Sequence, residues 1–389
     1  MKNDIQYALI VPLIGGMGFG AEKALGKKPK YILSYSAFAA NDQLLLDYWT
    51  DIPYHVINDD NTFIDGLPKV DFVSTLCPCA GLSQLNNGKN KGANATQNDW
   101  MYKTTEYVLG SMKPRVLFGE NAPGLYNPTG QPVLDRLAKI GESHGYSMTI
   151  IKTSTKFHGI PANRVRSFYF FWDSETAPIL NWYNKDMTSL KDYVAQVSSL
   201  NDKNEIIERE QELQQDPLFI WINKNHKDWR TYAENSKGSF MEMILESEEA
   251  EDFIKWVTTY DPDYAKKAIH AHKKVKAGKG FWDGSPFLPR ETAGAFTGAR
   301  MNVIHPSEDR IVTNRELMHF MSLPNDMAIP STKDLGKIFQ NVPSDTAADW
   351  TREVIKYLNN DLTFSDSKFV RQDNIKQQLI IPTNSRKLF

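Results

Sequence analysis

The sequence predicts an α/β fold built on a mostly parallel sheet. Three observations carry that reading. Short apolar runs alternate with helical patterns through residues 1–175, a glycine-rich turn follows the first run, and chemically active residues recur just after later runs. Residues 7–13 read as the first buried strand, and a helix opens near Ala21. Further strands are expected at 31–35, 54–57, 71–76, 115–118, 148–152 and 167–172, with helices at 42–49 and 100–109. Ligands of such sheets bind at the carboxyl ends of the strands.

The rhythm changes after Trp172. Residues 180–300 are polar, with helical stretches at 204–214 and 247–276. Regularity returns from 310 to 360, where Ser344 is placed to cap an amphipathic helix reaching Leu358. Three parts follow: a ligand-binding domain at 1–175, a second domain at 176–330, and a segment at 331–389 that returns to the first. Residues 81–98, dense in Gly and Asn, read as a mobile loop.

Composition removes several classes. Cys77 and Cys79 are the two cysteines, two positions apart, which excludes a disulfide framework and a multi-thiolate zinc site. A net charge of −2 leaves no global basic field, so any nucleic-acid site must come from local clustering. The best cluster is Lys266, Lys267, Lys273, Lys274, Lys276 and Lys279 with His270 and His272, followed by Phe281 and Trp282. No apolar run approaches the ~20 residues of a membrane span, and the N-terminus lacks a signal-peptide pattern, so a soluble cytoplasmic protein is expected, as a monomer.

Four segments carry chemistry. The first is Gly15-Gly16-Met17-Gly18-Phe19-Gly20-Ala21, whose tight turn lets backbone amides approach a cofactor. The second is Cys77-Pro78-Cys79-Ala80-Gly81, a thiol at a strand end before a flexible loop. The third, Gly119-Glu120-Asn121-Ala122-Pro123, sets a carboxylate at another strand end, and the fourth, Ala162-Asn163-Arg164-Val165-Arg166, sends two arginines to one face of a strand. Taken singly, each has a bland reading: a packed turn, a buried cysteine, a solvated loop acid, a surface edge.

Order and spacing together resemble the DNA cytosine-5 methyltransferases. Pro78-Cys79 is similar to that family's nucleophile segment, Glu120-Asn121 to its Glu-Asn-Val segment, and Arg164-x-Arg166 to its arginine segment. Residues 310–316 and Gln340-Asn341-Val342-Pro343 resemble later family segments. The resemblance covers roughly 1–175 and 295–360. It implies an S-adenosylmethionine-dependent, Rossmann-like mixed sheet flanked by helices, a smaller DNA-recognition domain, double-stranded DNA as partner, and a bacterial or phage-infected cell as setting.

It also assigns roles. Cys79 adds to cytosine carbon 6, which makes carbon 5 nucleophilic enough to take a methyl group. Glu120 holds ring N3 and the exocyclic amine; Arg166, with Arg164, holds the O2 side. The base must leave the stack to be reached. Gly15 and Gly16 face the methionine part of S-adenosylmethionine, Phe38 stacks on adenine, Asp59 or Asp60 accepts from its amine, and Pro78, Asn341 and Val342 line the pocket.

The chain departs from the family pattern at Ala80, Ala162, Leu13 and Gln340, and at Ala37, where an acid usually holds the ribose. Those departures keep a catalytically impaired DNA-binding homologue in view. An RNA cytosine-5 methyltransferase on the same scaffold is a second alternative. A nicotinamide-dependent oxidoreductase is a third, disfavoured by the missing acid.

Overall fold

The computed structural model describes residues 4–58, 64–83, 86, 88–234, 239–279, 284–294, 302–330 and 332–381. Eleven strands are described: β1 (Tyr7–Ile10), β2 (Tyr31–Tyr35), β3 (Tyr54–Ile57), β4 (Phe72–Thr75), β5 (Val116–Asn121), β6 (Ser147–Ser154), β7 (Val165–Trp172), β8 (Pro178–Ile179), β9 (Thr363–Phe364), β10 (Phe369–Asp373) and β11 (Gln378–Ile380). Nine form one sheet in the order β11-β10-β6-β7-β5-β4-β1-β2-β3; β8 and β9 pair separately. In the large sheet β7 runs antiparallel to both neighbours and β11 antiparallel to β10, while its other pairs are parallel; β8 and β9 are antiparallel. The expected mixed, mainly parallel sheet is therefore present.

Both faces of the central strands are buried, which is why their sequences are continuously apolar. Ala8, Ile10, Leu33, Val73 and Leu117 pack with Leu134 and Leu137 of the helix Gln131–Ser143. On the opposite face an aromatic ladder crosses the strands. Tyr7 stacks on Phe72 (5.1 Å), Phe118 on Phe170 (5.4 Å), and Phe170 on Trp172 (5.2 Å). The helix Ser344–Leu358 lays Trp350 edge-on against Phe170. It also packs so closely on α1 (Gly16–Leu25) that a Cβ on Gly20 would lie 2.5 Å from the Ala347 Cβ.

Several boundaries differ from the sequence reading. The first strand stops at Ile10 because Val11 (φ 54°) and Leu13 (φ 52°) turn into the left-handed region. Strand β5 runs on to Asn121, so Glu120 belongs to the strand and not to a loop. The long helical stretch near 247–276 is two helices, Ala250–Tyr260 and Pro262–Lys276, broken where Asp261 caps the second and Pro262 starts it. Ser344 does not cap the last helix; its hydroxyl donates to the Ser322 carbonyl. Strands β10 and β11 were not foreseen.

Contacts divide the chain into two compact units, residues 1–187 with 321–389, and residues 188–320. The second unit is helical around a core that includes Phe219, Ile222, Phe240, Ile244 and Phe253. Within it the Arg310 guanidinium grips the buried Glu316 carboxylate at 2.9 and 2.7 Å, and Glu316 also accepts from the Thr313 amide at 2.8 Å. That pairing explains the residue pattern of the 310–316 segment. Among the described residues no helix is long and apolar enough to cross a membrane.

Candidate active site

Sheet order brings the reactive segments together. Strands β7, β5 and β4 are consecutive neighbours. Thr75 of β4 pairs with Gly119 of β5, so Glu120 emerges beside the loop that carries Cys79. Strand β7 pairs with β5 as Ser167 with Asn121, which places Arg166 one residue beyond that pair. Cys79, Glu120 and Arg166 thus share one end of the sheet.

Glu120 is buried, and the Arg166 Nε lies 2.7 Å from its Oε1. Burial pushes the Glu120 carboxyl up, while Arg166 and Arg164 pull it back down. Cys79 precedes a single 3-10 turn at Ala80–Leu82 and is half-buried. Burial raises its thiol, the Glu120 charge adds to that, and the two arginines oppose both. The guanidiniums moderate the rise, and the thiol remains above its ordinary value. Cys77, by contrast, is fully enclosed, its sulfur 3.5 Å from the Thr75 hydroxyl and 3.7 Å from the Trp100 carbonyl oxygen.

Arg164 is placed differently from Arg166. It is buried and donates through Nη2 to the carbonyls of Phe339 (2.6 Å) and Asn341 (2.7 Å), with its pKa pushed down to about 9 by burial and the Arg166 charge. Its charge still acts on Cys79 and Glu120.

Close glycine contacts lock the loops around the thiol. A Cβ on Gly124 would lie 2.1 Å from the Leu82 carbonyl oxygen, and one on Gly119 2.4 Å from the Tyr169 hydroxyl. The asparagines of the 81–98 segment, which suggested mobility, serve as clamps where they are described. Asn86 donates to the Ala80 and Asn90 carbonyls at 2.9 Å each, and Asn98 to those of Gly92 and Ala93 at 3.0 Å each. An Asn side chain carries the donor and acceptor of a peptide group, so it closes loops that lack a ladder.

The residues expected on the cofactor side lie at the adjoining strand ends. Gly15 (φ 89°) makes the left-handed turn into α1. The Gly16 amide donates to the Asn341 Oδ1 (3.1 Å), which also accepts from the Val342 amide (3.0 Å). Pro78 follows β4, and Phe38, half-buried after β2, meets Trp100 edge-on with ring centroids 4.7 Å apart. Leu13, Phe38, Cys79 and Trp100 all rim one core. Asp59 lies outside the described residues, as does Asp60. Ser36 and Ala37 are exposed after β2. Trp100, absent from the sequence-based selection, was visible there simply as a helix start.

A left-handed glycine turn opening a helix, with aromatic rings at the next strand end, suits an adenosyl group joined to an amino acid. The arrangement is that of an S-adenosylmethionine-dependent methyltransferase. The chain belongs to the C-5 cytosine-specific DNA methylase family, whose model matches residues 13–342. S-adenosylmethionine is the methyl donor of that family.

The fold is similar to those of solved structures. A putative DNA modification methyltransferase encoded in an Escherichia coli prophage matches with TM-score 0.57 and 14% identity, over 92% of this chain and 100% of that one. The Entamoeba histolytica methyltransferase EhMeth matches with TM-score 0.56 and 12% identity, over 91% and 98%. A variant of Spodoptera frugiperda DNMT2 matches with TM-score 0.50 and 12% identity, over 90% and 99%. No curated protein sequence matches.

Proposed function

We propose that this cytosine-5 methyltransferase acts on a flipped-out cytosine in duplex DNA through a covalent bond from Cys79 to carbon 6. The observation that carries the reading is the Arg166–Glu120 ion pair set at the same sheet end as Cys79. The Cys79 sulfur adds to carbon 6 and the ring electrons move toward N3. Glu120, its carboxyl held up by burial, supplies or shares the proton there. Arg166 keeps Glu120 oriented and faces the O2 carbonyl oxygen of the base. Bound S-adenosylmethionine supplies the electrophilic methyl group that carbon 5 takes. Loss of the carbon-5 proton then breaks the sulfur–carbon bond and restores the thiolate. Gly15, Gly16, Asn341, Val342, Phe38 and Pro78 would hold the donor.

Arg164 serves this site by fixing the Asn341 segment and by its charge. The 188–320 unit is assigned target recognition. On its helix Pro262–Lys276, Lys273 and Lys274 remain candidates for phosphate contact, whereas Lys266 pairs with Asp263 and Lys276 with Glu251, both at 2.7 Å.

Duplex DNA and RNA, each containing 5-fluorocytosine, test the reading in parallel. Fluorine is not removed as the proton is, so a donor-dependent adduct on DNA that survives denaturing electrophoresis is expected, absent in Cys79→Ala. An adduct on RNA alone would move the substrate to RNA. An adduct that persists in Cys79→Ala would overturn the nucleophile.

A further inference from the structure

The residue before α2 (Gln43–Tyr48) is Asp42, the place where an aspartate ordinarily caps a helix. Here its side chain makes no cap bond. It is fully buried and turned into the fold, where the Tyr54 hydroxyl donates to Oδ2 at 3.0 Å. The Ser34 hydroxyl and the Leu13 amide act on the carboxyl electrostatically, while its Oδ1 has no hydrogen-bond partner among the described residues. The Tyr54 bond ties the carboxyl to β3, and the Asp42 carbonyl accepts from the Leu45 and Leu46 amides, so the residue joins β3 to the helix whose Leu45 side chain lies against Gly15.

The turn that follows β1 is the one needing support. Leu13 stands at φ 52°, a left-handed conformation that costs a branched side chain energy unless its surroundings hold it. The same helix reinforces the brace. A Cβ on Gly15 would lie 2.5 Å from the Leu45 Cδ1, and the Trp49 ring packs on Phe19 at 4.9 Å between centroids. Asp42 thus sits behind the glycine turn rather than beside the exposed Ser36 and Ala37, where a ribose would be met.

We infer that Asp42 is a positioning residue for S-adenosylmethionine: it fixes the Leu13–Gly15 turn in its donor-binding shape and does not take the place of the missing ribose acid. Burial has pushed its carboxyl up to about 6, with Ser34, Tyr54 and the Leu13 amide opposing the rise; Tyr54 is the titratable neighbour. A buried carboxyl with one oxygen bonded to Tyr54 and the other left without a hydrogen bond among the described residues is a costly choice for packing alone.

Titration calorimetry with S-adenosylmethionine on the full chain tests this without any nucleic acid, so it stands apart from the choice of substrate. Asp42→Ala is expected to weaken binding at least about tenfold, the worth of a hydrogen bond to a charged group. Asp42→Asn, which keeps one acceptor oxygen, should fall between. In turnover assays KM for the donor should rise more than kcat falls. Binding within about twofold of the parent in both variants, even with a lower melting temperature, would reduce Asp42 to a packing role and overturn the inference. Should Asp42→Ala not fold, Tyr54→Phe replaces it: weaker donor binding supports the brace, and unchanged binding refutes it.

Discussion

Arg164 donates to the Asn341 carbonyl at 2.7 Å, and the Asn341 side chain in turn accepts from the Gly16 amide at 3.1 Å. Two bonds thus join the arginine beside Cys79 to the glycine turn. Positions far apart in the sequence meet because β7 and the 339–342 segment converge at one end of the sheet. The link gives the pocket a physical reason to hold methyl donor and nucleophile in fixed register.

Arg164→Lys should expose this coupling. A lysine keeps the charge but offers a point donor in place of a planar fork. It cannot reach the Phe339 and Asn341 carbonyls as the guanidinium does, leaving one buried acceptor unpaired at about 1–3 kcal/mol. The expected result is a lower melting temperature together with donor affinity reduced about tenfold, read by calorimetry. Arg166→Lys should instead spare donor binding and lower turnover.

Glu120→Gln tests the proton at N3. The carboxyl is displaced upward by burial, so its protonated form persists to higher pH than an ordinary Glu. Replacing it removes a general acid worth about 10²–10⁴-fold in rate. The kcat/KM of the parent should fall as pH rises through the Glu120 titration. In Glu120→Gln that limb should vanish, leaving the thiol limb alone. An unaltered alkaline limb would assign it to another group.

Much of this candidate site is legible in the sequence. Cys79 and Glu120 stand at the ends of apolar runs, where α/β sheets present chemistry, and the arginines open the apolar run of β7. The order of strands was not legible. Pairing of β5 with β7 links residues about fifty apart, and nothing local in either strand specifies its partner. That is why Arg164 and Arg166 read as equivalents, although one grips backbone carbonyls and the other a carboxylate. Asparagine density at 81–98 reports the lack of a ladder, but not the side-chain bonds that stand in its place. Asp42 showed in the sequence only as the start of a helical pattern, because its partner Tyr54 comes from another strand.

A buried histidine predicts acid sensitivity. His158 Nδ1 lies 2.9 Å from the Asp349 Oδ2 and its Nε2 3.0 Å from the Thr153 hydroxyl, with Lys185 2.6 Å from the other Asp349 oxygen. Burial lowers the His158 pKa, outweighing the Asp349 charge. The unfolded chain therefore binds the extra proton first, and stability falls as pH drops below about 6.5, by at most about 1.4 kcal/mol per unit. Asp349 is itself held below its ordinary value, chiefly by His158 and Lys185 against burial. Its contribution, present above the ordinary Asp range, is lost at still lower pH. Melting curves from pH 7 to 5 should slope downward, and His158→Gln should flatten them while lowering stability at pH 7.

Cys77→Ser provides the thiol control. Its sulfur is enclosed among Thr75, Trp100 and the core, so a serine places a hydroxyl in a space shaped for sulfur. A loss of about 1–2 kcal/mol in stability is expected, with the 5-fluorocytosine adduct retained. Loss of the adduct in a folded Cys77→Ser would mean that the two thiols act together.

Two glycines at opposite ends of α1 separate backbone strain from close approach. Gly26, at the C-terminal end, has φ 72°, and a Cβ there would meet nothing within 4 Å. Gly26→Ala should therefore cost about 1 kcal/mol of stability through φ alone and leave donor affinity unchanged. Gly16 is the reverse case. A Cβ there would stand 2.1 Å from the Val342 carbonyl oxygen and 2.4 Å from the Asn341 Oδ1. Neither neighbour is the free end of a long side chain; one is backbone, and the other already holds the Gly16 and Val342 amides. Relief requires the glycine turn and the 341–342 segment to separate, which breaks the Gly16–Asn341 bond and leaves its groups partly unpaired. Gly16→Ala should thus weaken S-adenosylmethionine by at least about tenfold, well beyond any change in melting temperature that Gly26→Ala produces. Calorimetry and melting curves on both variants decide it. Equal donor affinity in the two would show that the turn tolerates separation and that the Asn341 contact is not what shapes it.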